Sequence, residues 1–270
     1  MLIKIKDRDD VVLYECEAPD LRDAVMEAVR LRVDLSGADL RYVDLSGADL
    51  RYVDLSGAEL RGANLSKANL KGAQMSNANL TAAVLWDADI VYADLRGAVL
   101  WDADLRYARL TGAKLRDTDM WDADLNHADL TGAKLRRAQL RGTNLVGANL
   151  TGANLKGVNL NHANLVGADL RAVYLRGATL KGADLTGANL ASAKLVGADL
   201  TGANLASAKL NYADLRGAKL TAGHLMGANL KGADLRDVDL RGANMTGVNL
   251  KNVKLHVAHI DGGSVMQDFD

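Results

Sequence analysis

The sequence predicts one all-β solenoid, a chain that coils on itself and buries its own repeat. Three observations lead there. A large apolar residue returns at every fifth position from Leu35 to Ile260 without interruption. It is Leu except at Met75, Ile90, Met120, Met245 and Ile260. The residue two places earlier is Ala in 35 of the 46 units, and otherwise small or β-branched, as at Val43, Thr118, Thr143 and Gly223. Composition agrees: 49% of the 270 residues are apolar but only 4% aromatic, with one Phe, one Pro and 26 Gly. A core of Leu and Ala alone is a regular core.

A period of five fits no single regular element. On an α-helix five residues advance about 500°, which turns successive leucines roughly 140° apart. On a strand an odd spacing sends every second leucine to the opposite face. The pair Ala38 and Leu40 does share one side of a short extended piece. The remaining step to the next such pair must turn the chain. Each unit is therefore a straight piece and a corner, with the Ala-type and central residues pointing inward. The number of sides per coil does not follow from this period. Residues 101–120 and 121–140 agree at thirteen of twenty positions, which favours four units per coil and stacks Trp101 over Trp121. Shifts of fifteen (TGANLASAKL at 186–195 and 201–210) and ten (RYVDLSGA at 41–48 and 51–58) also occur.

The tract resembles the pentapeptide-repeat family, whose consensus is A(D/N)LXX, over 230 of the 270 residues. The resemblance implies a right-handed, quadrilateral parallel β-helix, here of about 11.5 coils. At roughly 4.8 Å between stacked strands the rod would be about 55 Å long. Single coils are not expected to be stable alone.

Taken in chain order, residues 1–30 read as an N-terminal cap. Leu2, Ile3 and Ile5 alternate with Lys4 and Lys6, DRDD at 7–10 marks a turn, and Val11 to Tyr14 follow, which makes a β-hairpin. PDLRDAVMEAVR at 19–30 reads as a short helix, with Pro19 in its first turn and Leu21, Val25, Ala28 and Val29 on one face. Such a cap covers an otherwise open coil end. Cys16, the single cysteine, is expected there as an inert thiol and excludes a disulfide framework. Residues 31–260 form the repeat, and 261–270 a short tail. Val265, Met266 and Phe269 could plug the last coil or pair with another chain. Some members of the family dimerise through their C-termini, so a homodimer through a coil end is one expectation.

Charge excludes some functions. With 33 basic and 34 acidic residues, the formal charge of −1 argues against a polybasic nucleic-acid binder. No direct nucleic-acid binding is expected. There is no signal-peptide core and no long apolar run, so a soluble, cytoplasmic protein without membrane contact is expected.

Two surface features are candidates for partner binding. WDAD occurs three times and contains the only tryptophans: Trp86 and Asp87, Trp101 and Asp102, Trp121 and Asp122, with Tyr92 and Tyr107 nearby. Exposed aromatics with a few charges fit a protein partner. The plainer reading is that the stacked rings only shield the ladder. The second feature is an acidic series, Asp34, Asp39, Asp44, Asp49, Asp54 and Glu59. Members of the resembled family that bind DNA gyrase are thought to imitate duplex DNA, and a local acidic face would serve that purpose. The near-zero net charge departs from them, since DNA carries one charge per about 1.7 Å. The plainer reading is that Asp and Asn before each Leu bond the local backbone. His256, His259 and Asp261 are a weak terminal metal candidate and are read as surface residues. No cofactor, metal site or catalytic constellation is expected: Leu and Ala fill the interior, and no nucleophile–base pair stands out. The sequence reading is thus a non-catalytic scaffold or protein-interaction rod, with a gyrase-modulating DNA mimic as the alternative.

Overall fold

The pair of short strands at the N-terminus is the first element the chain builds. The computed structural model describes residues 1–256, 258–260 and 263–265. β1 (Leu2–Lys6) and β2 (Val12–Glu17) form an antiparallel hairpin, with a register shift between Ile5 and Lys6. The Asp7 carboxylate closes the turn by accepting from the backbone N–H groups of Asp9 and Val11, each at 2.9 Å. α1 (Leu21–Arg30) follows. Its N-cap is Asp20, whose carboxylate accepts from the Asp23 N–H at 2.9 Å. Pro19 therefore precedes the helix and is not in its first turn, because the carboxylate of Asp20 is the better terminator of the unpaired N–H groups.

The helix buries Ala24, Val25 and Ala28. Together with fully buried Ile5 they continue the core that the leucines begin at Leu35. Arg22 ties the cap to the solenoid by donating to the carbonyls of Asp44 (2.9 Å) and Ser46 (2.8 Å). Asp7 bridges Ala38 and the Asp39 N–H donates to the Lys6 carbonyl at 2.7 Å, so the hairpin also caps a ladder edge.

From Asp39 onward every residue that precedes a central residue bridges the residue twenty positions later, in parallel, through Asp239–His259. One coil is therefore four pentapeptides. Around Asp44 and Asn64 the pattern is clear. Leu45 N–H donates to the Asn64 carbonyl (2.7 Å), Asn64 N–H to the Val43 carbonyl (2.9 Å), and Gly47 N–H to the Ser66 carbonyl (2.8 Å). A fourth bond, Ala48 N–H to the Leu45 carbonyl at 3.1 Å, closes the corner. This corner needs a left-handed residue at its third position. Every such position from Arg32 to Asn252 has φ between 52° and 71°, and about half of them are glycine.

The inside of the rod is a column of leucines on each of four sides, with the Ala-type residues between them, nearly all at 0–1% exposure. Thr118 and Thr143 are buried at Ala-type positions, and their hydroxyls donate to the Leu115 and Leu140 carbonyls at 2.7 and 2.8 Å. Near the far end Ala243, Met245, Val248 and Leu250 are only half-buried. β3 (Ala258–Ile260) and β4 (Gly263–Val265) make a small antiparallel hairpin there. Asp261, Met266 and Phe269, named above, lie outside the described residues.

Candidate partner-binding face

Four sides and a five-residue unit decide which side chains meet. A side is named here by the first residue of its outer column. The Asp44 side carries Asp44, Asn64, Val84, Asp104 and Asp124 in succession. It lies between two corners. One holds Trp101 and Asp102, then Trp121 and Asp122. The other holds Trp86 and Asp87, then Arg106 and Tyr107.

Trp101 and Trp121 stack with ring centroids 6.1 Å apart and planes 21° from parallel. They remain 43% and 42% exposed. Arg141, one coil further, places its guanidinium 5.9 Å from the Trp121 ring. On the opposite corner the Lys67 ammonium sits 4.8 Å from the Trp86 ring. Tyr107 stacks on His127 at 5.4 Å. The floor between these rims is exposed Val84 and the carboxylates of Asp104 and Asp124. Arg106 reaches across the floor, 2.6 Å from Asp104 and 4.0 Å from Asp124. It holds the Asp104 carboxyl below the usual carboxylate range. A shallow concavity of about 420 Å³ opens at Asn64, Val84, Trp86, Asp104 and Arg106, and a second of about 440 Å³ at Trp121, Asp122, Arg141 and His162. Beside them Asp119 Oδ1 is a buried carboxylate oxygen without a hydrogen-bond partner.

The structure thus brings Trp86, Trp101, Trp121 and Tyr107 to the rims of one side. It does not bring Tyr92 there. Tyr92 occupies the corner beyond the Asp49 side, where its ring covers Gly112. The WDAD aspartates Asp87, Asp102 and Asp122 have positive φ, so they are corner residues turned away from the strand face.

The acidic series does not form one face. Successive members are five residues apart, so they go to successive sides. Only Asp34 with Asp54, and Asp39 with Glu59, share a column. Their charges are also answered locally. Asp39 pairs with Arg41, Asp49 with Arg51 at 2.6 Å, and Glu59 with Arg8 at 3.7 Å. The same i,i+2 pair recurs wherever Asp-Leu-Arg occurs in the repeat, as at Asp94–Arg96 (2.7 Å), Asp214–Arg216 (2.8 Å) and Asp239–Arg241 (2.7 Å). That triplet was the sequence signal for it.

Cys16 is half-buried beneath α1; burial first, and then the Glu27 carboxylate, push its thiol up. A groove of about 620 Å³ lies between α1 and the first corner, lined by Val29, Arg32, Val33, Tyr52 and Asp54. Among the described residues no group of His, Cys, Asp and Glu could hold a metal ion, and no helix is long and apolar enough to cross a membrane.

The family of pentapeptide repeats matches as eight copies between residues 31 and 258, with only residues 222–223 left out. The chain belongs to the pentapeptide-repeat family. Among solved structures it is similar to HetL of the cyanobacterium Nostoc sp. strain PCC 7120, a pentapeptide repeat protein involved in heterocyst differentiation regulation. They share 34% identity over 90% of this chain and 98% of HetL, with a TM-score of 0.47. A pentapeptide repeat protein of the Arabidopsis thaliana thylakoid lumen is also 34% identical, over 38% of this chain and 71% of its own, with a TM-score of 0.37. QnrB1, a plasmid-mediated fluoroquinolone resistance protein, is 20% identical over 70% of this chain and 89% of its own, with a TM-score of 0.34. A comparison with curated proteins finds no match.

Proposed function

We propose that this pentapeptide-repeat protein is a non-catalytic interaction rod that binds a protein partner on its Asp44 side. The carrying observation is the pair of aromatic rims, Trp101–Trp121 on one corner and Trp86 with Tyr107 on the other, flanking a floor of Val84 and carboxylates. Large rigid rings at the edges and a mixed floor are what protein hot spots are made of. HetL, 34% identical along nearly its whole length, is a protein involved in regulation, which accords with a regulatory role for this rod. The DNA-mimic reading loses its footing, because the acids spread over four sides and most are paired with arginine.

A partner screen with the full chain, followed by titration calorimetry against the W101A/W121A variant, tests the reading. The expected result is a partner whose affinity falls about 30-fold or more, the scale of a hot-spot truncation, with the circular dichroism spectrum unchanged. Undiminished affinity for every partner found would overturn it.

A further inference from the structure

A net charge near zero conceals a strong local asymmetry. Residues 131–196 contain nine basic residues and two acidic ones, Asp169 and Asp184. The coil period sorts these cations. Arg136, Lys156 and Arg176 emerge from one corner in three successive coils. Lys134 and Lys194 stand on the adjoining strand column, in the order Lys134, Asn154, Tyr174, Lys194. All five are exposed, and among the described residues none has a carboxylate within ion-pair reach. The nearest acids on this edge are already engaged: Asp117 by Arg116 and Arg137, Asp214 by Arg216. The column on the other side of the corner is neutral here, with Gln139, Asn159 and Thr179.

We propose that this edge binds the phosphate backbone of a single-stranded nucleic acid. Three coil steps of roughly 4.8 Å place five unpaired cations within about 14 Å, or one per about 3 Å. A strand stacked as in a duplex carries a phosphate per about 3.4 Å of axis, so the edge supplies enough cations to answer every phosphate of one strand, stacked or more extended. A protein interface would be expected to offer an apolar centre with aromatic anchors, and this edge is bare of them except for one ring. That ring is Tyr174, 54% exposed and set within the row between Asn154 and Lys194. An aromatic platform in a cationic track is the arrangement that stacks an unpaired base. A duplex has its bases stacked internally and leaves Tyr174 without a role. The edge is separated from the tryptophan corner by the Asp39 side, so the two surfaces are independent.

The test is fluorescence anisotropy of the full chain with a labelled single-stranded 12-mer, the matching duplex, and a labelled poly-glutamate peptide, over a salt series. Binding to the single strand is expected, with log K falling against log salt at a slope near −3.5, about 0.7 per neutralised phosphate. R136E/K156E/R176E should abolish it. Tyr174→Ala should lower affinity roughly five-fold or more with the slope unchanged, as loss of one stacked base does. Lys231→Glu on another corner, and W101A/W121A, should bind as the parent does. Absence of binding at low salt, a duplex or poly-glutamate bound as tightly as the single strand, or a triple charge reversal without effect would overturn the proposal. The circular dichroism spectra of the variants confirm that loss of binding is not loss of fold.

Discussion

At the residue scale the corner governs what the surface can carry. A non-glycine side chain at the left-handed position lies down along the rod onto the same corner of the next coil. Tyr42 covers Gly62, Tyr52 covers Gly72, Tyr92 covers Gly112 and Tyr212 covers Gly232. Polar chains do the same: Asp122 over Gly142, His127 over Gly147, Asn77 over Gly97. A Cβ at Gly62 would lie 2.6 Å from Cδ1 of Tyr42, whereas at Gly152, with a similar φ, it would meet nothing within 4 Å. Both positions share the backbone penalty of about 1–2 kcal/mol for a β-carbon in the left-handed region. Only Gly62 adds a steric conflict with a ring. Gly62→Ala should therefore lower the urea midpoint more than Gly152→Ala does. Tyr42→Ala in the Gly62→Ala background should bring the two to equality. Equal losses from the two single variants would show that the overlaid ring yields freely and that the rule has no energetic weight.

At the element scale the outer columns work as ladders of Asx-type acceptors and paired charges. Asn and Asp at the column position accept from the N–H two residues on, as Asn149 does from Thr151 at 3.1 Å and Asp34 from Ser36 at 2.9 Å. Arginine two residues on holds Asp39, Asp49, Asp104, Asp214 and Asp234 below the usual carboxylate range. For Asp94 burial acts first and upward, yet Arg96 and Lys114 bring it lower on balance. Because each folded pKa lies below the unfolded one, near 3.9, the pairs stabilise the rod fully above that value. The contribution is lost as pH falls below it toward the folded pKa values. Thermal midpoints should be flat from about pH 5 to pH 8 on this account and drop steeply below about pH 4. Asp94→Asn, which keeps an Oδ1 acceptor, should make that drop shallower; a steeper drop would contradict the assignment.

Much at this scale was legible in the sequence. The unbroken Leu and Ala registers dictate the buried columns, and the cap follows from the hairpin alternation and the amphipathic stretch before Leu31. α1 starts two residues later than the sequence predicts, because Pro19 and Asp20 are both helix-start signals and only the geometry shows which one caps. The grouping of surface residues was harder. It depends on the coil count, for which the sequence held competing shifts. Once the bridges show twenty, Tyr92 leaves the tryptophan group and the acidic series from Asp34 to Glu59 separates onto four sides. No pattern in the linear spacing of five would have revealed this.

At the scale of the whole rod the formal charge of −1 is the sum of unlike parts. Residues 81–130 carry ten acids against five bases, and 131–196 nine bases against two acids. The acidic part does not make a continuous negative surface. Asp89, Asp94, Asp104 and Asp117 are each within 3.1 Å of an arginine nitrogen. The tryptophans stand among the rest. A duplex mimic needs the reverse: unpaired negative charge at close intervals along one side, unbroken by a basic edge. This rod has the outline of such a mimic and lacks its field, which decays within about 8 Å at physiological salt and so must come from the contacting side itself. In a DNA gyrase supercoiling assay the folded protein should leave activity unchanged at tens of micromolar. It should give no protection against a fluoroquinolone at the same concentrations. Inhibition or protection at low micromolar protein would mean that shape alone, without matching charge, suffices for the enzyme's DNA-binding surface. The paired aspartates from Asp39 to Asp239 would then have to open from their arginines on contact, which the R41A/R51A variant would expose as a gain in potency.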